Sequence, residues 1–168
     1  LPLTKLFFDR PTLQVAKDLI GKQIVFGDRR GIITETEAYI GTDDPACHAA
    51  RGKTPRNSIM FGQAGFAYVY FIYGMYYCLN FITEKEGFPA AVLIRGVIDP
   101  ETGKHYDGPG KLCNYFGITK EHNGINICNS AEFYVDDSAA TFKIDRTPRI
   151  GIKAGTEKLW RFKAVTKK

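Results

Sequence analysis

Residues Ala67–Cys78 read "AYVYFIYGMYYC", six aromatics in twelve positions, five of them tyrosine. The stretch reads as the end of one strand, "AYVYFIYG", turning directly into the next, "MYYCLNFIT". Alternation then puts Tyr68 and Tyr70 on one face and Val69, Phe71 and Tyr73 on the other. Tyr73 precedes Gly74 and so stands at a strand end, exposed at a tip. A core is built more simply from Leu, Val and Phe, so this many phenols call for a reason. Two remain open. The rings form an aromatic core whose hydroxyls reach the surface, or their faces are displayed to stack unpaired bases and to wedge a duplex.

Working outward, "TEKEGFP" is a turn into a third strand, "AAVLIRGVI". Upstream, "KQIVFG" and "GIITETEAYIG" read as strands joined by "GDRRG", a hairpin-type turn. "AEFYVDD" and "RFKAVTK" read as late strands. The segment "DRPTLQVAKDLIG" is a short helix, with Asp9 as cap, Pro11 in the first turn, Leu13, Ala16 and Ile20 on one face, and Gly21 at the end. "GPGKLCNYFGI" is a second, opened by Gly108-Pro109-Gly110 and closed by Gly117. Its N-terminus, with Lys111 in the first turn, either holds a phosphate or belongs to an ordinary packing helix. "HAARGKTPRN" is a polar loop carrying Arg51, Lys53 and Arg56. Strands in runs with few helices between them predict an α+β fold with a mainly antiparallel sheet, in one domain over residues 1–168.

The composition, 44% apolar and 24% charged, is that of a globular chain, and no apolar run is long enough to span a bilayer. "LPLTKLFFDRPT" has neither the basic start nor the apolar centre of a signal peptide, and Leu at position 1 suggests a trimmed start. Cys47, Cys78, Cys113 and Cys128 form no CxxC pair, which argues against zinc; two disulfides are conceivable, but the lack of a secretion signal favours reduced thiols inside a cell. The net charge of +5 is uneven: residues 138–168 hold nine Lys or Arg against Asp145 and Glu157, a local +7, and the rest sums to −2. Such an end suits a polyanion, nucleic acid before membrane, or serves as a solubilising tail.

In "IITETEAYI", alternation places Ile33, Glu35, Glu37 and Tyr39 on one face. Glu is depleted in strands. Two of them, roughly 6.6 Å apart at about 3.3 Å per residue, form a solvated, ion-paired face, or supply a general base beside a Tyr pocket wall, or fit a two-carboxylate sugar hydrolase. Asn80 sits in an otherwise apolar strand where its amide needs partners. Arg95 ends another apolar strand, paired with an acid or aimed at an anion. Each of Glu37, Asn80 and Arg95 is anomalous in its own strand, and the three could converge on one site.

The stretch "TETEAYIGTDDPACHAARGKTPRNSIMFGQAGFAYVYFIYGMYYCLN", followed by "AAVLIRG" and "GPGKLC", closely resembles the alkyladenine (3-methyladenine) DNA glycosylases. The likeness is dense from Gly31 to Cys113 and resumes weakly in "PRIGI" and "LWRF". It implies a single compact domain around a curved antiparallel sheet with short flanking helices. It also implies roles: Glu37 as the base that activates water, Arg95 as the partner positioning water and backbone, and Tyr39, His48 and Tyr70 as walls sandwiching a flipped base. His48 further offers a backbone hydrogen bond to the base edge. Asn80 resembles the residue that rejects the guanine amino group, and Tyr73 the wedge that enters the minor groove. A backbone carbonyl near Ile150 is implied to hold the water. Arg51, Lys53, Arg56 and Lys111 are candidates for phosphate contacts.

The implied activity is excision of alkylated or deaminated purines from double-stranded DNA, with 3-methyladenine, 7-methylguanine, hypoxanthine and ethenoadenine as candidate lesions. No lysine nucleophile stands in the motif strands, so a monofunctional glycosylase leaving an abasic site is expected, without metal or organic cofactor. The expected enzyme is a monomer of the bacterial cytoplasm, at the nucleoid, or nuclear in a eukaryotic host. The rival is a non-catalytic nucleic-acid-binding module.

Overall fold

The tip of the tyrosine-rich stretch is a tight reversal. Tyr73 and Gly74 have φ of 56° and 61°, and the Met75 N–H donates to the Ile72 carbonyl at 3.0 Å. Two consecutive positive φ angles are the sign pattern of a type I′ turn, whose twist matches antiparallel strands. This computed structural model describes residues 1–137 and 140–167. Ser138 and Lys168, the two ends of the basic segment counted above, lie outside the described residues, as does Ala139.

The turn joins β3 (Ala67–Ile72) to β4 (Tyr76–Ile82), which pairs with β5 (Ala90–Ile98). Next to β5 lies β2 (Arg29–Ile40), then β1 (Gln23–Phe26), then β7 (Phe133–Asp136). The short β6 (His105–Asp107) edges β5, and β8 (Phe142–Thr147) pairs with β9 (Arg161–Lys167). Every pairing is antiparallel. At twelve residues, β2 is long enough to serve two partners on one edge. Its first residues pair with β1, while Glu35–Glu37 pair with β9. The sheet curls into a half-barrel, and the chain is a single compact α+β domain, as the runs of strands predicted.

Three short helices flank the sheet: α1 (Lys5–Phe8), α2 (Thr12–Leu19) and α3 (Pro109–Phe116). The buried residues of α2 are Thr12, Val15, Ala16 and Leu19, and the expected Leu13–Ala16–Ile20 line also faces the core, with Ala16 and the C-cap Ile20 buried in it and Leu13 half-buried against it. The helix start differs from the expectation. Asp9 closes α1 instead of capping α2, and Pro11 occupies the N-cap position. Thr12 thereby faces inward and bonds Thr83 Oγ1 at 2.9 Å. Gly117, at φ 80°, ends α3 in the left-handed conformation that glycine adopts without penalty. Gly110 lets α3 lie flat on β4, because an added Cβ would stand 2.7 Å from the Tyr76 ring.

One sheet face carries the main core. Ala38, Val69, Leu79, Phe81, Val92 and Ile94 pack there with Val15, Ala16 and Leu19 of α2 and Leu112 and Phe116 of α3. The other face carries a smaller cluster of Cys47, Ala49, Met60, Tyr68, Ile82 and Ala91, with Tyr39 and Tyr70 packed against it. This second face, partly covered by the loop after β2, holds the candidate site. The alternation read from the sequence holds for Val69, toward the helices, and for Tyr68 and Tyr70, away from them, but not for Tyr73, which the turn brings round to the Tyr68–Tyr70 side.

Candidate active site

Strand register assembles the site. Tyr68 opposes Asn80, Asn80 opposes Leu93, and Leu93 opposes Glu37. Directly opposed residues share a face, so one row across four strands brings these side chains together. Two positions along, Tyr70 opposes Cys78, but Glu35 and Arg95, each two positions on from Glu37 and Leu93, are not partners, Glu35 pairing with Gly96. Here the β2–β5 register shifts, passing over Thr34 on one strand and Arg95 on the other. Bulges of this kind re-aim side chains. The first shift overturns one expectation: Ile33 lies in the helix-side core, not on the Glu35 face. The second places Arg95 Nε 3.2 Å from Glu35 Oε2 and 3.7 Å from Glu37 Oε2.

Glu37 is fully buried, at 0% exposure. Its Oε1 accepts the Tyr39 hydroxyl at 2.7 Å, and its Oε2 accepts the Ile150 N–H at 2.7 Å. Burial pushes the carboxyl above its ordinary 4.5; Arg95, the Ile150 N–H and the Tyr39 hydroxyl oppose that rise, and Glu35 adds to it. The second acid is engaged otherwise. Glu35 Oε2 accepts Arg161 Nε at 2.6 Å as well as Arg95 Nε at 3.2 Å. Both acids are ion-paired, but within the protein and not on a solvated face. Glu35 Oε2 is held by two arginines, whereas Glu37 bonds two cleft-lining residues, which counts against Glu35 as the second acid of a two-carboxylate hydrolase.

A cleft of about 370 Å³ opens over this face, lined by Tyr39, His48, Tyr70, Asn80 and Arg95 and, across from β2, by residues 150–154. All five predicted pocket and Arg positions thus line one cavity. Glu37 lies one layer behind it, in contact with three lining residues: Tyr39, Arg95 and Ile150. The His48 ring sits 4.3 Å from that of Tyr70 at 62°, with Nδ1 3.1 Å from the Tyr68 hydroxyl. Burial, then Arg56, lowers the His48 pKa, which favours the neutral ring. Burial raises the Tyr39 and Tyr70 phenols, and that of Tyr68 to about 12, so all three remain O–H donors. Asn80 Nδ2 donates to the Tyr68 carbonyl at 3.2 Å. Tyr73, 74% exposed, stands at the cleft mouth.

The four basic candidates are all exposed. Arg51 and Arg56 border a second hollow of about 580 Å³ that shares His48, Tyr70 and Tyr73 with the cleft. Arg56 also donates to the Phe71 carbonyl at 2.8 Å. Lys53 lies 5.9 Å from the Phe61 ring centre, and Lys111 rises from the first turn of α3, beside cleft-lining Pro109. Among the described residues, no group of three or more His, Cys, Asp or Glu is placed to hold a metal ion, and no helix is long and apolar enough to cross a membrane.

Three structural contributors carried no signal of their own. Asn57 bonds the carbonyls of His48 and Gly52, both at 3.0 Å, and the Thr54 N–H at 2.7 Å, shaping the His48 loop. Arg149 and Asp44 form a bidentate pair buried at 0% side-chain exposure. Asn57 and Asp44 lay within the family-like stretch, yet nothing in spacing joins positions 44 and 149. At Ile150 the group facing Glu37 is the N–H, where a carbonyl had been expected near the water.

The family model for methylpurine-DNA glycosylase (MPG) matches residues 6–168. A protein from Sodalis glossinidius, named "Putative 3-methyladenine DNA glycosylase", is 58% identical over 164 residues, 97% of this chain and 96% of its own. Proteins of the same name from Rickettsia felis and from Wolbachia sp. subsp. Brugia malayi are 59% and 58% identical, covering 95% and 96% of this chain and 91% and 96% of theirs. Together with the fold and cleft, these likenesses define the class: a DNA glycosylase, a hydrolase of DNA repair. The chain belongs to the methylpurine-DNA glycosylase family.

Proposed function

We propose that this protein is a monofunctional, monomeric glycosylase, acting through residues 1–168 as one domain, that removes alkylated or deaminated purines from double-stranded DNA. The damaged nucleotide flips out at a cost of a few kcal/mol, less where the lesion already weakens pairing. Tyr73 fills the vacated stack, and Arg51, Lys53, Arg56 and Lys111 contact phosphates. The base enters between the Tyr39, His48 and Tyr70 rings, where a cationic N3- or N7-alkylated purine gains from electron-rich faces. Asn80, on the cleft wall, excludes the amino group of guanine. Glu37 takes a proton from water; the water oxygen bonds to C1′ as the N-glycosidic bond breaks, and the base departs with that electron pair. Oε1 of Glu37 holds one hydrogen bond and retains capacity for another. Arg95, within reach of Glu37, fixes the carboxylate and the incoming water.

The observation that carries this reading is the cross-strand row placing Glu37 and Asn80 on the tyrosine face, with Arg95 beside them. The test is incubation with duplexes each bearing one 3-methyladenine, 7-methylguanine, hypoxanthine or ethenoadenine. Free base should appear from at least one, with the strand intact until alkali cleaves the abasic site. Binding without release from any of them would favour the non-catalytic module, and a nick at neutral pH would contradict the monofunctional mechanism.

A further inference from the structure

The loop that supplies the Ile150 N–H to Glu37 is held from inside the protein. Asp44 uses all of its acceptor capacity: Oδ2 takes the Ile40 N–H at 3.0 Å and Arg149 Nη1 at 2.6 Å, and Oδ1 takes the Ala46 N–H at 3.1 Å and Arg149 Nη2 at 2.9 Å. Arg149 Nη1 also donates to the Ala38 carbonyl at 3.0 Å. Its guanidinium lies 4.8 Å from the Tyr39 ring centre and 5.0 Å from that of Trp160. Gly155 closes over the pair, where an added Cβ would stand 2.8 Å from Arg149 Nη2, and its φ is 74°. A buried ion pair is weak evidence for stability, since well-packed apolar residues often do as well; its best-attested use is to fix one arrangement.

We infer that the Asp44–Arg149 pair is a positioning clamp for the reaction: it docks residues 148–155 so that the Ile150 N–H meets Glu37, and it fixes the turn leading to His48 on the same cleft. Neither residue lines the cleft. Arg149 acts through its neighbour Ile150, and Asp44 through Arg149 on one side and the Ala46 N–H on the other. The inference rests on the reading of Glu37 as the base. The groups facing Glu37 are Tyr39 and Glu35 on its own strand, Arg95 on β5, Cys78 on β4 and the Ile150 N–H, with Arg161 of β9 bound to Glu35. Disturbing the clamp acts on the N–H directly and touches Tyr39 only through the ring that Arg149 covers; Glu35, Arg95 and Cys78 make no contact with the pair. Loss of that donor makes the carboxylate harder to ionise, so base release should fail on the acid side and recover as pH rises.

The test is the pH profile of single-turnover base release for Asp44→Asn, Arg149→Lys and Gly155→Ala. The last presses on the clamp without changing a charge, and it carries the test if the first two fail to fold. Tyr39→Phe, which removes the other donor to Glu37, is the yardstick. The acid limb of each clamp variant should move up by about one pH unit, the effect of losing one charge-assisted hydrogen bond, with rates approaching the parent's at alkaline pH. A loss by the same factor at every pH, or a limb that stays put while that of Tyr39→Phe moves, would overturn the inference. Normal turnover by Glu37→Gln would instead overturn the reading beneath it.

Discussion

Glu37 places a function and a burden on the same atoms. Burial raises its pKa above 4.5 in the folded state, so folding favours the protonated acid. Its contribution to stability is therefore full below about pH 4.5 and declines as pH rises through the folded-state value. Glutamine has no charge to desolvate. Glu37→Gln should melt above the parent at pH 7 to 8, with the gap closing as pH falls toward 4.5; thermal melts of both proteins across that range check it, and a parent more stable at neutral pH would contradict it. At this scale much of the site was legible. An acid, an amide and a guanidinium, each misplaced in its own apolar strand, pointed to Glu37, Asn80 and Arg95, and the family resemblance supplied their roles. The Arg149–Asp44 pair was not legible, because an arginine in a basic segment reads as surface until its buried partner 105 positions away is seen.

Among elements, the β3–β4 hairpin holds a bulky residue where a glycine would be easier. Tyr73 has φ of 56° and is 74% exposed, a combination that side-chain packing does not explain. Tyr73→Gly relieves the backbone while loosening the unfolded chain, two effects that oppose each other. Urea denaturation should find its stability within about 1 kcal/mol of the parent's, while titration with damaged duplex should show clearly weaker binding. An unchanged affinity would remove the wedge. Gly110→Ala should cost about 1–3 kcal/mol by the same denaturation measurement, because the new methyl meets Tyr76. The hairpin, the β1–β2 turn and α3 could be read because alternation and Gly placement act locally. The strands β6 and β8 could not. His105–Asp107 is three residues long, and Phe142–Thr147 is polar and half exposed, so each takes its strand geometry from a neighbour. The bulges at Thr34 and Arg95 were equally silent, since alternation alone assumes an unbroken register.

For the whole molecule, the basic C-terminal segment is both a charge and a structural part. Arg149 and Arg161 are turned inward to Asp44 and Glu35, so two of its nine basic residues serve the site and not a surface field. The exposed Arg51, Lys53 and Arg56 lie instead on the loop beside the cleft. If phosphates are held by several of these, log affinity for duplex should fall linearly with log salt, with a slope of about −0.9 per contact. Substituting Arg51 and Arg56 together should flatten that slope, as a filter-binding salt series would show. Composition foretold a polyanionic partner but not which charges face it; that depends on long-range pairing, as does the meeting of four strands in one cleft. Base release as proposed turns on Glu37. The decisive measurement is single-turnover release of 3-methyladenine from duplex DNA by Glu37→Gln, alongside its affinity for the same duplex: release should vanish while binding persists, and release at the parent's rate would contradict Glu37 as the base.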